Sequence, residues 1–176
     1  GSHMQSQLGK YKMVALGTLA FIISFGIMAL AKITIPVWLL LVAGAFEGFG
    51  LGLSFNVLQI SVQEDAEKRD IPIATSFAYL LRILSQTFMS SIYGVILSNA
   101  LIKGVNETNG KITITMMNKL SDSQSVGDLP KELLPIMKQI MYGGLHNIML
   151  IALVLLSIAL FFNIVMQLKV KNSKSI

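Results

Sequence analysis

The sequence predicts an all-α integral membrane protein with four transmembrane helices and a long extracellular loop that contains a short amphipathic helix. Apolar stretches at about 13–31, 37–62, 74–101 and 148–166 are each long enough to cross a hydrocarbon core of about 30 Å at 1.5 Å per residue. The 176 residues are 53% hydrophobic and 13% charged, which is typical of a chain dissolved mainly in lipid. The stretches are too long and continuous for the strands of a membrane barrel.

The expected organisation follows from these stretches. Residues 1–4, Gly-Ser-His-Met, resemble the remnant of an expression tag. Residues 5–102 hold three spans, 103–144 the extracellular loop, 145–168 the last span and 169–176 a cytoplasmic tail. Lysines of the tails adjoin helix ends, whereas most lysines on the other side are dispersed through the loop. This distribution favours cytoplasmic termini and a cell membrane location.

The short connections predict how neighbouring spans meet. The segment from Lys32 to Pro36 is so short that the first two helices must be antiparallel neighbours, with Pro36 at a helix start. Residues 63–72 are dense in charges of both signs and predict a solvated turn, after which Pro72 opens the third span.

Part of the 103–144 loop is expected to fold. Asp128 is a plausible N-cap with Pro130 just inside the helix, and Gly143-Gly144 is expected to end that helix. One apolar face is marked by Leu129, Leu133, Ile136, Met137 and Ile140. The prediction is a short helix that rests on the membrane surface or on the outer ends of the spans.

A glycine ridge lies on the second span. Gly44, Gly48 and Gly52 follow four-residue spacing, with Gly50 between them, so another helix can approach this backbone closely. Close packing is the expected role, and easier bending of the helix is the alternative.

Glu47 and Arg82 are ionisable residues inside predicted spans, and both are predicted to lie near the bilayer midplane. A buried charge needs a partner, water or neutralisation, so the two side chains are expected to meet. Their meeting leaves two interpretations open. One is a structural ion pair that fixes helix packing, and the other is a site where Glu47 binds a proton or an organic cation for which Arg82 competes.

Polar side chains continue along both middle spans. Such a stripe cannot face lipid, so it must line a wet cavity or a helix interface. Its members on the third span keep to one helix face: Thr75, Tyr79, Arg82, Gln86, Ser90 and Tyr93. The second span adds Ser54, Asn56, Gln59 and Ser61. Nearby aromatic rings offer faces to a lipophilic cation, with packing or lipid contact as the alternative role: Phe46, Phe49, Phe55, Tyr79 and Tyr93.

Several function classes are disfavoured. The chain has no cysteine, and no cluster of acidic residues and histidines predicts a metal site, so no cofactor is expected. No nucleophile with its base and no phosphate loop is recognisable, so an enzyme is not expected. The net charge of +5 resides mostly in tails and loops, which favours membrane orientation over nucleic-acid binding.

Residues 44–62, GAFEGFGLGLSFNVLQISV, the charged turn, and residues 71–101, IPIATSFAYLLRILSQTFMSSIYGVILSNAL, resemble the last part of the fourteen-helix drug:proton antiporters of the major facilitator superfamily. The matching residues of the third span are Ala74, Thr75, Ser76, Arg82 and Gly94. The chain departs from the family at Ser85, Gln86 and Met89, where glycines are usual.

The resemblance implies that the chain is the last four helices of the C-terminal half of a multidrug efflux transporter. The outer two spans would then be peripheral and the middle two would line the pathway: Glu47, Arg82, Tyr79, Gln86, Asn56 and Tyr93, with Gly44, Gly48, Gly52 and Gly94 packing helices. Partners would be the bilayer, the remaining helices of the transporter, protons and a small lipophilic or cationic substrate. Such a fragment can also associate with itself.

Two alternatives from other classes stay open. A self-contained four-helix protein, working as a small dimeric cation/proton exchanger, also places one membrane glutamate at the centre of exchange, although it does not need the long outer loop. A membrane scaffold without transport would use that loop to bind a partner, and its polar stripe would only hold helices together.

Overall fold

The computed structural model describes residues 2–172, which contain helices and no strand. Four helices are long and apolar enough to cross a membrane by length and composition, which confirms the predicted four-helix membrane fold. Lys174 and the rest of the expected tail beyond Asn172 lie outside the described residues, as does Gly1. The helices are α1 (Ser2–Leu30), α2 (Val37–Asp65), α3 (Ile71–Asn106), α4 (Ile114–Leu120) and α5 (Leu134–Asn172), with a short 3-10 turn at Val126–Asp128.

The long helices alternate in direction. An ion pair between Lys10 and Glu64 joins α1 to α2 at the end of the bundle that also holds the α2–α3 turn, which we name the terminal end. At the opposite end, the cap end, the Tyr142 hydroxyl donates a hydrogen bond to the Ala31 carbonyl. Pro36 precedes α2 and Pro72 lies in the first turn of α3, so both predicted helix starts are confirmed.

Helix α1 packs along both α2 and α5, whereas α3 contacts α5 and, less extensively, α2. At the cap end α3 meets α5 where Gly104 approaches Ile140 and Gly144 approaches Leu97. Towards the terminal end α3 instead lies beside α2. The bundle is therefore open along much of α3, and no residue of its most apolar stretch is buried in this chain.

The closest approach of two long helices occurs at Gly17 and Gly50. A Cβ added at Gly50 would lie 2.8 Å from the Gly17 carbonyl oxygen and 3.2 Å from the Phe21 ring. A Cβ added at Gly17 would lie 2.6 Å from the Ser54 hydroxyl oxygen. These distances leave no room for a methyl group, so α1 and α2 pack through bare backbone here.

The predicted glycine ridge is not the packing surface within this chain. A Cβ at Gly44, Gly48 or Gly52 would have no neighbour within 4 Å, and the same holds at Gly94. Gly50 follows Gly48 by two residues and so points about 160° away from it, which means that α1 packs on the side of α2 opposite the ridge. The four predicted glycines face open space among the residues that the structure describes.

The most completely buried apolar cluster lies in the 103–144 segment, above the spans. It contains Leu101 of α3, Ile112, Met117 of α4, Leu129 and Met137 of α5. At 36 and 39 residues, α3 and α5 are about 54 and 58 Å long, well beyond a hydrocarbon core of about 30 Å. Their excess lengths, with α4 and the 3-10 turn, form a folded cap around this cluster.

The separate short amphipathic helix of the prediction is wrong in its bounds. Helix α5 runs without a break from Leu134 through Gly143-Gly144 to Asn172. Gly144 is buried where a Cβ would lie 2.7 Å from the Leu97 side chain, so this glycine serves close packing and does not end a helix. Asp128 closes the 3-10 turn and caps no helix, whereas Thr113 caps α4 by accepting a hydrogen bond from the Met116 amide.

Candidate functional site

A groove of about 580 Å³ lies between α2 and α3 in the half of the bundle nearer the terminal end. Such a volume is within the range of pockets that hold drug-sized molecules. Its apolar walls are formed by Phe55, Leu58, Val62, Ala78 and Leu81. Its polar groups belong to Gln59, Thr75, Ser76, Tyr79, Arg82 and Ser85.

Arg82 is held in this groove by two aromatic rings. Its guanidinium carbon lies 4.6 Å from the centroid of the Phe55 ring and 4.7 Å from that of Tyr79. Cation–π contacts of this kind contribute from about 0.5–1 kcal/mol at exposed sites to about 2 kcal/mol or more where the cation is desolvated, and Arg82 is half-buried. Two of the five rings that were predicted to receive a lipophilic cation therefore already hold a cation of the chain itself.

Two buried polar atoms of the groove lack hydrogen-bond partners. These are the Arg82 Nε atom and the Thr75 hydroxyl oxygen. Arg82 makes no ion pair or hydrogen bond with any described residue. An unsatisfied buried polar group costs about 1–3 kcal/mol and a charged one more, so this site is poised for an acceptor from outside the described chain.

Glu47 does not pair with Arg82, which corrects the predicted meeting of these residues. Glu47 is half-buried and has no ion-pair or hydrogen-bond partner among residues 2–172. It lies about 27 Å along α2 from Asp65, whereas Arg82 lies only about 17 Å along α3 from Ile71, at 1.5 Å per residue.

The predicted depths were wrong because the depth of Glu47 was counted from one membrane face and that of Arg82 from the other. Matching depths would require spans of about 30 Å, but α2 has 29 residues and is therefore about 43 Å long. Phe55 lies about 15 Å from Asp65 on the same scale, and it is the α2 residue that Arg82 contacts. Glu47 lies two turns further towards the cap end, on the same side of α2 as Ser54 and the groove residue Leu58.

The polar stripe divides into two parts. Thr75, Tyr79 and Arg82 line the groove together, as the spacing predicted. Gln86 and Ser90 are exposed and Tyr93 is half-buried, in the part of α3 beyond the groove. Asn56 is also exposed and does not line the groove, since it is displaced by about 100° from its neighbour Phe55.

The closest contact between two long helices was not predicted. Gly17 was not singled out, although it sets the distance between α1 and α2. Gly17 has no glycine three or four residues away in its own helix, and its counterpart Gly50 lies on another helix. The sequence of α1 alone therefore gave no signal that singles it out.

A second groove of about 650 Å³ lies at the cap end, beside α1, α5 and the cap. The rings of His146 and Tyr142 stack there at 5.6 Å between centroids, and His146 Nδ1 is buried without a partner. Lys32 and Lys138 also line this groove. Among residues 2–172 no three histidine, aspartate or glutamate side chains are grouped to hold a metal ion.

The helices and the groove define this chain as a multi-pass membrane protein with a polar site between two spans. Comparisons with protein-family profiles, with curated protein sequences and with solved structures find no match. A function must therefore be argued from the residues and their geometry.

Proposed function

We propose that this chain is the C-terminal part of a proton-coupled multidrug efflux transporter of the major facilitator superfamily, which exports lipophilic or cationic compounds by alternating access. The observation that carries the proposal is the α2–α3 groove, which places an unpaired arginine in a drug-sized, mostly apolar cleft between two spans. An arginine within a membrane span that served packing alone would be expected to have a partner.

The open side of the bundle supports the same proposal. Alternating access in this superfamily needs a second set of helices that closes the cleft. The exposed side of α3 and the uncovered Gly44, Gly48 and Gly52 of α2 provide surface for such helices, or for self-association. In this arrangement the terminal end is cytoplasmic and the cap is extracellular.

Glu47 is the proposed proton carrier. It is the only acidic residue in the predicted spans 37–62 and 74–101, and no described residue neutralises it. Acidic residues within membrane spans commonly mark proton pathways, and an acid without a partner is free to serve in one. Because Arg82 does not contact it, the two residues are assigned separate roles: Glu47 for the proton and the Arg82 groove for the substrate.

The test uses everted membrane vesicles from cells that express the complete gene containing this chain. Addition of a transported lipophilic compound is expected to release protons from energised vesicles, measured with a pH-sensitive dye. Glu47→Gln should abolish the release while the protein stays in the membrane at normal amount. Glu67→Gln, at an exposed acid of the α2–α3 turn, is the matched control and should release protons like the wild type. Full proton release by Glu47→Gln would overturn the assignment.

The scaffold alternative has one specific observation in its favour, which is the folded cap. A loop with its own buried cluster presents a defined surface, as a partner-binding module requires. Under this alternative, deleting residues 109–131 abolishes recruitment of a partner, and the undeleted protein releases no protons from the vesicles when any substrate is added. Under the transporter proposal, the vesicles respond to substrate whether or not a partner is present.

A further inference from the structure

We propose that the α2–α3 groove selects an amphiphile with a carboxylate headgroup, bound by Arg82, and an apolar body in contact with the groove walls. The proposal concerns the substrate class of the proposed transporter and rests on that function for its biological meaning. It departs from a cationic substrate because of the charges and contacts in the groove itself.

The charge of the groove favours an anion over a cation. Arg82 is the one charged residue among those that line the groove, and no aspartate or glutamate is among them. Along α2, Glu47 lies about 12 Å and Glu64 about 14 Å from Phe55 at 1.5 Å per residue, and Glu64 is paired with Lys10. An organic cation in this groove would meet the uncompensated Arg82 guanidinium and would be repelled.

The faces of the two aromatic rings in the groove are occupied by the Arg82 guanidinium. A lipophilic cation is bound best by the faces of aromatic rings. In this groove the rings of Phe55 and Tyr79 already lie against the Arg82 guanidinium, at 4.6 and 4.7 Å. Both rings fix the guanidinium in place and leave its unpaired N–H groups to bind an acceptor.

The N–H groups of Arg82 are hydrogen-bond donors that suit a carboxylate. The guanidinium has five N–H donors in a planar fork that matches a carboxylate in a bidentate arrangement. No described residue accepts from them, and the Thr75 hydroxyl oxygen is a second buried polar atom without a partner. Thr75 lies two turns from Arg82 on the same side of α3, about 10 Å away along the helix, within reach of a second polar group on an elongated ligand.

The apolar walls of the groove determine which chemistry the rest of the ligand must have. The groove is lined by the hydrocarbon side chains of Leu58, Val62 and Leu81. A volume of about 580 Å³ accepts a medium-length alkyl chain or a fused-ring body together with one headgroup. A simple inorganic anion would leave these walls uncovered, so the apolar body is part of the recognition.

Binding is measured on the 176-residue protein in nanodiscs of zwitterionic phosphatidylcholine, with empty nanodiscs as the correction for partition into lipid. The probe is cis-parinaric acid, a fluorescent fatty acid. Dodecanoate and dodecyltrimethylammonium, which share an alkyl chain and differ in headgroup charge, are the competitors. We expect dodecanoate to displace the probe at a concentration at least about tenfold lower than the cation, since hydrogen bonds to charged groups contribute about 1.5–3 kcal/mol.

The variants separate charge from folding. Arg82→Gln should weaken probe binding by roughly 10- to 100-fold. Arg82→Lys, which keeps the charge but loses the fork, should weaken it by a smaller factor. Arg69→Gln, at the only other arginine of the chain, which is exposed in the α2–α3 turn, is the matched control and should bind like the wild type. Far-ultraviolet circular dichroism verifies that each variant is folded.

Three results would overturn the proposal. They are equal displacement by the two competitors, unchanged probe binding in folded Arg82→Gln, and loss of probe binding when phosphatidylglycerol is added to the nanodisc. The last result would identify the occupant as a structural anionic lipid. Because no proton gradient is present, failure here leaves proton-coupled export standing, and failure of the vesicle experiment leaves this binding result intact.

Discussion

Replacement of Gly50 by alanine tests the central packing contact of the bundle. The added methyl group would lie 2.8 Å from the Gly17 carbonyl oxygen and 3.2 Å from a carbon of the Phe21 ring. A backbone oxygen cannot rotate away, so α1 and α2 must separate. Overpacking of this kind costs about 1–3 kcal/mol. Gly48→Ala is the matched control, because a Cβ there has no neighbour within 4 Å.

Both substitutions gain the same helix propensity, about 1 kcal/mol for alanine over glycine. The difference between the two variants therefore isolates the clash, and Gly50→Ala should be less stable than Gly48→Ala by about 1–3 kcal/mol. The assay is unfolding of the detergent-solubilised protein with increasing dodecyl sulfate, followed by circular dichroism and by fluorescence of Trp38, the single tryptophan. Coincident unfolding curves for the two variants would refute the predicted α1–α2 contact.

Two further predictions concern the cap. Gly144→Val should destabilise it by about 1–3 kcal/mol and speed proteolysis within residues 109–131, because the new side chain would displace Leu97, whereas Gly143→Val, with open space around it, should not. The Ser125 hydroxyl and the Gln124 amide both donate hydrogen bonds to Asp122 and lower the pKa of its carboxyl group from 3.8. The stability this gives is full above 3.8 and is lost as the pH falls through the lower pKa of the folded state. An NMR titration should find the midpoint below 3.8, moving upward in Ser125→Ala, and an unmoved midpoint would contradict the role of that hydroxyl.

The features that the sequence predicted correctly depend on local chemistry. Long apolar stretches identify membrane-spanning helices because the bilayer requires both their length and their composition. Pro36 and Pro72 mark helix starts because proline lacks an N–H group that the first turn does not need. The shared side of Thr75, Tyr79 and Arg82 follows from helical periodicity alone.

The features that failed depend on relations between helices. Hydropathy locates the part of a helix inside lipid, and it does not reveal that α3 and α5 continue into a cap. The depths of Glu47 and Arg82 could not be compared from the sequence, because the lengths of α2 and α3 were unknown. Without those lengths, the distance of each residue from the α2–α3 turn was also unknown. Gly143-Gly144 has the composition of a helix end, but the approach of Leu97 from another helix makes glycine necessary inside α5.

The most direct measurement of the central claim is thiol labelling of the groove in membranes. The chain has no cysteine, so single substitutions report without background. Ser85→Cys changes one atom of a groove residue, and Phe161→Cys places a thiol on an exposed apolar side of α5. The account predicts that a water-soluble maleimide labels position 85, that dodecanoate slows this labelling, and that position 161 stays unlabelled in the bilayer. Equal resistance of both positions to the reagent would show that no wet groove lies between α2 and α3.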